Sequence, residues 1–539
     1  MTSRLKRLRR TLSQRLAQRD DSGIAMVLTV GVMMLMTLIP LIVVSQAVTQ
    51  LPIARQNQDH ESALHAAEAG VDDYLNHLSN NNTYWLYTTT ASSPDNNQAF
   101  STWVPVPGGG TNEFFRYSVD TSTTAATGFV TITASGKANK VVRTVKVGLR
   151  RLGFLDYLYL TDYEIVDPAL SGDSTSRCVY HAWERNAATG NYGPDPSQCS
   201  LIFWTTSAVL NGPTHTNDGL YMCGNPQFNG NLDTYYNAPT TQSVSGSTKF
   251  GGPGVWLNPN SCTNKPTFAR NGDPASGSLL ALPPANNSIE AQADPVNGPG
   301  CLYTGLTTIA LKYVGNTGYM DVTSPATKKT KAGCGPGTNL ALPANGVIYV
   351  QGVPTSKSDP NYSSCFGSGC VGDVNLSNGA TANGYTGGLA GQLTIAADDD
   401  IVITGNVTYH QYPTGNDVLG LIANNDVAVY HPVSNGNNGS GSITNPRIDA
   451  AILSLNHSFY VQNWSTGSPL GNLTVNGVIA QKFRGPVGTF GGSGNTIQTG
   501  YNKNYNYDTR LKYLTPPYFL NPLQSAWDRT SFSELKPAY

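Results

Sequence analysis

The chain has 539 residues, a formal net charge of −1 and only 12% charged residues. No basic stripe lies beyond the first 23 residues, which excludes the nucleic-acid-binding class. Disorder is excluded too, because disordered chains are charge-rich and poor in aromatics, and this one carries 28 Tyr.

The first 23 residues hold seven bases (Arg4, Lys6, Arg7, Arg9, Arg10, Arg15 and Arg19) against Asp20 and Asp21. An uncharged run covers 24–54, most apolar over 24–44 and wetter at Ser45, Gln46, Thr49 and Gln50. About 20 apolar residues cross a bilayer, and flanking bases stay cytoplasmic. The expectation is a single pass through the cytoplasmic (inner) membrane, N-terminus in the cytoplasm, with residues 55–539 exported to the cell surface. A secretory signal peptide has a shorter apolar core and a small-residue cleavage site after it. An uncleaved anchor and a helix freed by cleavage just before the run are the other two readings.

The stretch Ser22-Gly23-Ile24-Ala25-Met26-Val27-Leu28 resembles a type IV prepilin leader junction. Downstream, Ala66-Ala67-Glu68-Ala69-Gly70-Val71 resembles the Ala-Ala-Glu-Ala-Gly element of PilX-type minor pilins. The likeness is close over about 20–80 and looser to 150. It implies cleavage by prepilin peptidase between Gly23 and Ile24, N-methylation of Ile24, and assembly with other pilins and the pilus machinery. Major pilins carry Glu at mature position five, to pair with a neighbour's N-terminal amine; here that position is Leu28. In the family its loss goes with subunits at a filament tip, so the likeness implies a minor subunit with Leu28, Glu68 and Gly70 as its assembly motif.

Leu64, Ala67, Val71, Leu75 and Leu78 recur at helical steps, which predicts one helix over 24–78, bent at Pro40 and Pro52 where a backbone donor is lost. At 1.5 Å per residue it is roughly 80 Å long, so its outer half must pack on something. His60, His65 and His77 read as solvent-face residues, because no Cys, Asp or Glu set converges on them. Segments 114–120, 129–134 and 141–147 read as three antiparallel strands, with a turn at Ser135-Gly136-Lys137-Ala138-Asn139.

All eight cysteines lie between Cys178 and Cys370. An even count in an exported segment favours disulfides, and eight allow 105 connectivities. Pairing in chain order would join Cys178–Cys199, Cys223–Cys262, Cys301–Cys334 and Cys365–Cys370. Strand-like runs at 154–160, 201–204 and 307–313 sit among long Gly/Pro/Asn stretches. Over 341–485 short apolar strands recur, with Leu393, Leu419, Ala451 and Leu473 at steps of 26, 32 and 22 residues. Repeats of this length suggest the stacked coils of a parallel β-helix, and a β-sandwich is the alternative. Segment 210–218 is a candidate start of the solenoid, and 501–520, with Asp508 and Arg510, a candidate cap.

The expected fold class is therefore an α+β pilin-like N-terminal module, a long helix plus a small antiparallel sheet, followed by a large all-β domain. Its divisions are a leader 1–23, core helix 24–78, head sheet 79–150, loop-rich disulfide-bearing region 151–340, repeats 341–500 and cap 501–539. Asp398, Asp399 and Asp400 are the candidate catalytic residues, as paired carboxylates or as oxygen ligands for Ca²⁺. Adjacent strand residues face opposite ways, so at most two share a site and a solvated turn is the plainer reading. No other cofactor or metal is expected, and no GxSxG elbow, HExxH helix or Walker loop is present. The function expected is a minor pilin-like subunit with a large ectodomain for tip assembly, priming or adhesion to a surface glycan or a host or abiotic surface. The alternatives are a surface-anchored β-helix enzyme acting on polysaccharide and a pseudopilin-like part of a type II secretion-type machine.

Overall fold

The computed structural model describes residues 22–81, 83–122, 124, 129–151, 153–235, 247–249, 256–259, 266–271, 274–294, 299–325, 333–352, 372–491, 496–522 and 527–536. Leader residues 1–21 and Cys262, Cys365 and Cys370 lie outside them. Helix α1, Ser22–Asn80, is 59 residues long and carries Pro40 and Pro52 within it. Its first half is solvent-facing from Met26 to Leu41, and its second half buries Ala63, Ala66, Ala67, Val71, Tyr74 and Leu78 at three- and four-residue steps. That spacing forms one stripe on a helix.

Among the described residues no helix is long and apolar enough to cross a membrane, which corrects the expected single-pass inner-membrane anchor. An uncharged run is a weaker property than an apolar one. Thr29, Gly31, Thr37 and Pro40 interrupt this run, and Ser45, Gln46, Thr49 and Gln50 follow. The Thr29 and Thr37 hydroxyls donate back to the carbonyls of Met26 and Met34, at 3.0 and 2.9 Å.

The buried stripe lies under an antiparallel sheet of β1 (Val104–Pro105), β2 (Glu113–Asp120), β3 (Phe129–Ala138) and β4 (Val141–Arg151). Gly136 is not in a turn, as expected, but inside β3, and the turn follows at Asn139, whose φ is 53°. A Cβ on Gly136 would sit 2.1 Å from the Ala63 carbonyl oxygen and 2.1 Å from the Ala67 amide, so strand and helix backbones touch here. The fifth strand of this sheet is the chain's last, Trp527–Leu535, paired antiparallel to β4 from Trp527↔Arg151 to Leu535↔Thr144. The head is thus closed by both ends of the described chain, and everything between β4 and the last strand is an insertion into it.

The insertion is mostly β, with few helices and large parallel sheets. Its strands are β5 (Tyr159–Tyr163), β6 (Cys301–Thr304), β7 (Thr307–Val314), β8 (Val347–Gln351), β9 (Val374–Asn378), β10 (Gln392–Ala397), β11 (Ile401–Ile403), β12 (Val418–Ala423), β13 (Val427–Val429), β14 (Arg447–Ser454), β15 (Phe459–Val461), β16 (Pro469–Phe483) and β17 (Thr496–Tyr507), besides shorter ones. Strands β6, β8, β10, β12, β14, β16 and β17 are parallel neighbours in one sheet. Strands β7, β9, β11, β13 and β15 are parallel neighbours in a second. The chain visits the two alternately, so like residues stack: Val374, Ile401, Val427 and Phe459 pair in series and are all buried. In the first sheet the series runs Val347, Thr394, Gly420, Ala451 and Val478. Leu393 and Leu419 are thus in register as their spacing suggested, while Leu473 lies well upstream of Ala451's partner.

The 15-residue β16 forks the first sheet. Its beginning pairs with β17 and its end with β5. Beyond β17 lies Val209–Asn211 and beyond β5 lies Thr214–Thr216, both parallel. Arg150 joins head to body: buried, it pairs with Asp156 at 3.1 Å, donates to the Lys512 carbonyl at 3.1 Å and stacks on Phe129.

Gly136→Ala should destabilise the head by about 3 kcal/mol, an overpacking cost with backbone on the other side. Gly70→Ala should cost less, because the atom its Cβ meets, at 3.1 Å, is in the Phe115 ring. Denaturant melts of the two variants should rank them in that order.

Candidate functional site

Gly23 and Ile24 lie in the first turn of α1, and Leu28 projects into solvent. The Ala-Ala-Glu-Ala-Gly element divides by role. Ala66, Ala67 and Gly70 are buried against the sheet, while Glu68 faces outward and meets His65 at 3.3 Å. Small side chains are needed here because β3 and the Phe115 ring come down onto the helix. His77, read as a solvent-face residue, stacks on Tyr84 at 4.6 Å and pairs with Asp95 at 3.1 Å.

Asp398, Asp399 and Asp400 occupy the corner between β10 and β11 and do not act as a trio. Asp398 turns away, accepting from the Tyr349 hydroxyl and, at 2.8 Å, from the Gly352 amide. Asp399 accepts from the Asn425 side chain on the next corner. Asp400 accepts from the Asp426 amide at 2.9 Å, and its own amide donates to Asp373 at 3.2 Å. Asp426 in turn accepts from the Ser458 amide at 2.8 Å. Asp373, Asp400 and Asp426 therefore form a ladder, each carboxylate bonding the backbone one corner on. Such a bond satisfies a backbone donor that a tight corner would otherwise orphan.

Carboxylate oxygens of Asp373, Asp399 and Asp400 lie within 4.8 Å of one another, the one metal-compatible acidic group among the described residues. Three oxygens could serve a hard cation. Each of the three carboxylates also accepts one of the hydrogen bonds above, through one of its oxygens. Burial raises Asp373 to about 6 and Asp426 to about 7, and raises Asp400 above its usual range. Beside the ladder, His457 bonds Asp167 at 2.7 Å, and that bond raises its pKa. Together they floor an open groove walled by Pro168, Val179 and Phe483.

Disulfides join Cys178 to Cys199 and Cys301 to Cys334, at S–S distances of 2.05 and 1.98 Å. Cys223 is disulfide-bonded as well. Asp508 and Arg510 form a buried ion pair at 2.6 Å, and Arg510 also donates to the Gly415 carbonyl at 2.6 Å.

Sequence reasoning missed Asp373 and Asp426, which sit 27 residues before and 26 after Asp400 and meet it only through the register of the parallel strands. It also missed a buried group at the fork in the sheet. There Glu164 accepts from Trp204 Nε1 and pairs with Arg484, both at 3.1 Å, while Lys503 lies 4.7 Å from the Trp204 ring centroid. These residues are far apart in the chain, and only the inward position of Lys503 between Tyr501 and Tyr505 on β17 hinted at a buried charge.

No family model matches the chain, and no curated protein matches it. Among solved structures, the competence-associated pilin ComZ from Thermus thermophilus is similar at 10% identity and a TM-score of 0.24, over 88% of this chain and 97% of that one. A TM-score that low does not define a common fold.

Raised carboxyl pKa values mean that the folded chain keeps protons the unfolded chain releases above about pH 4. Stability from the ladder is full below that pH and is lost as pH rises through about 6 to 7. Asp426→Asn keeps an oxygen for the Ser458 amide and removes the charge. At pH 7.5 it should raise Tm by roughly 1–2 °C, the shift for about 1 kcal/mol at an unfolding entropy of about 2.1 cal/mol/K per residue in an insertion this large. At pH 5 the gain should be smaller, and below about pH 4 it should vanish.

Proposed function

We propose that the chain is a minor pilin-like filament subunit, processed by prepilin peptidase between Gly23 and Ile24, with its large β insertion displayed for tip assembly, priming or adhesion. The observation that carries this reading is the continuity of α1. Its first half exposes Met26, Val27, Leu28, Val30, Met33, Met34, Leu35, Met36, Ile39 and Leu41, and its second half is the small-residue bed of the head sheet. A contiguous exposed apolar face of that size marks an interaction surface, and helices of neighbouring subunits are the fitting partners. Leu28 lacks the carboxylate of a repeating subunit, which favours a terminal position.

The insertion is read as a parallel β-helix, on the alternation of the chain between two parallel sheets and the stacking of like residues. The reading is non-enzymatic: the carboxylates at the coil corner are engaged by backbone amides and Asn425. Mass spectrometry of the protein from cells with prepilin peptidase should find an N-terminus at methylated Ile24. Immunogold labelling of sheared filaments should mark ends. An intact Met1, or label confined to cell bodies, would count against the proposal.

A further inference from the structure

The group around Trp204 sets a buried guanidinium and a buried lysine against one carboxylate. Arg484 is 1% exposed, and its guanidinium lies 3.7 Å from the centroid of the Trp204 ring. Its Nη1 donates to Glu164 at 3.1 Å and to the Ile202 carbonyl at 3.4 Å, but its buried Nε has no acceptor. Lys503 is 9% exposed and, among the described residues, its ammonium has no carboxylate or carbonyl partner, only the Trp204 face. Glu164 makes its hydrogen bonds to the Thr161 hydroxyl, Trp204 Nε1 and Arg484 instead. A buried charge without a counter-charge costs several kcal/mol, and a guanidinium suits a carboxylate through paired N–H donors.

Arg484 and Lys503 both line a small, partly enclosed pocket of about 40 Å³. The remaining wall is apolar at Phe203, Val487 and Phe490, with the Ser207 hydroxyl near by. We infer that this pocket is a receptor for a carboxylate carried on a short apolar stem, the carboxylate meeting Lys503 Nζ beside the Arg484 guanidinium and the stem lying against Phe203, Val487 and Phe490. The inference stands on the insertion alone and does not depend on the filament reading. Burial and the neighbouring guanidinium hold the Lys503 ammonium well below its ordinary pKa. A carboxylate is therefore taken up together with a proton, and binding tightens as pH falls.

Calorimetry on the full chain with acetate, propionate and butyrate tests this. Affinity should rise roughly fourfold per added methylene, the factor for about 0.8 kcal/mol, and should be greater at pH 6 than at pH 8. Lys503→Met should abolish the heat. Ser207→Trp, which leaves Arg484 and Lys503 in place and fills the mouth, should abolish it too. In ¹³C-dimethyl-lysine spectra, the resonance missing from Lys503→Met should titrate with butyrate in the parent protein. No saturable heat up to 100 mM butyrate, or unchanged binding in both variants, would overturn the inference.

Discussion

The architecture rests on one contact, the seam where β3 meets α1 at Gly136. Backbone touches backbone there, with no room for even a methyl group. The helix must offer alanine and glycine along that line, and it does so at Ala63, Ala66, Ala67 and Gly70. The aromatic residues then close over the rest of the seam. Tyr74, Tyr84, Tyr117 and Phe100 meet edge to face or stacked, and Asn97 donates to both Tyr84 and Tyr117 hydroxyls, at 3.0 and 2.6 Å. Burying these rings against a stripe of small residues lets a single-layer sheet stay attached to a lone helix.

From the seam follows the relation of head to insertion. The last strand adds to β4 on the far side of the sheet, and Arg143 reaches from β4 both to Glu534, at 2.6 Å, and to the His60 carbonyl on α1, at 3.3 Å. The insertion begins and ends on neighbouring strands, pinned by Arg150 at the joint. Within it, stability comes from repetition. Each strand stacks its apolar residues on those of its parallel neighbour, and one corner stacks carboxylates as well. The ladder of Asp373, Asp400 and Asp426 buries carboxylates to hold corner amides, and that burial, with their mutual repulsion second, is why its pKa values climb.

The sequence revealed what was local and periodic. The 3.6-residue stripe on α1 and the alternating strands at 113–120 and 141–151 were legible because each element buries one face. Gly136 was misread because glycine signals a turn and a close approach equally well, and only the facing helix distinguishes them. The last strand was illegible: Trp527–Leu535 has few apolar residues, and its partner lies some 380 residues earlier. The two sheets were visible as short apolar runs, but their register was not, since the spacing from strand to paired strand varies with loop length. Asp399 and Asp400 stood out as neighbours, whereas Glu164, Arg484 and Lys503 come from three distant strands or turns and share no pattern.

The central claim is that the large β body is inserted into a helix-and-sheet head that the last strand completes. Hydrogen exchange on the intact protein tests it directly. The account predicts that the ladder-bonded amides of 527–535 exchange as slowly as their partners in β4. Exchange at the rate of an unpaired chain end would contradict it.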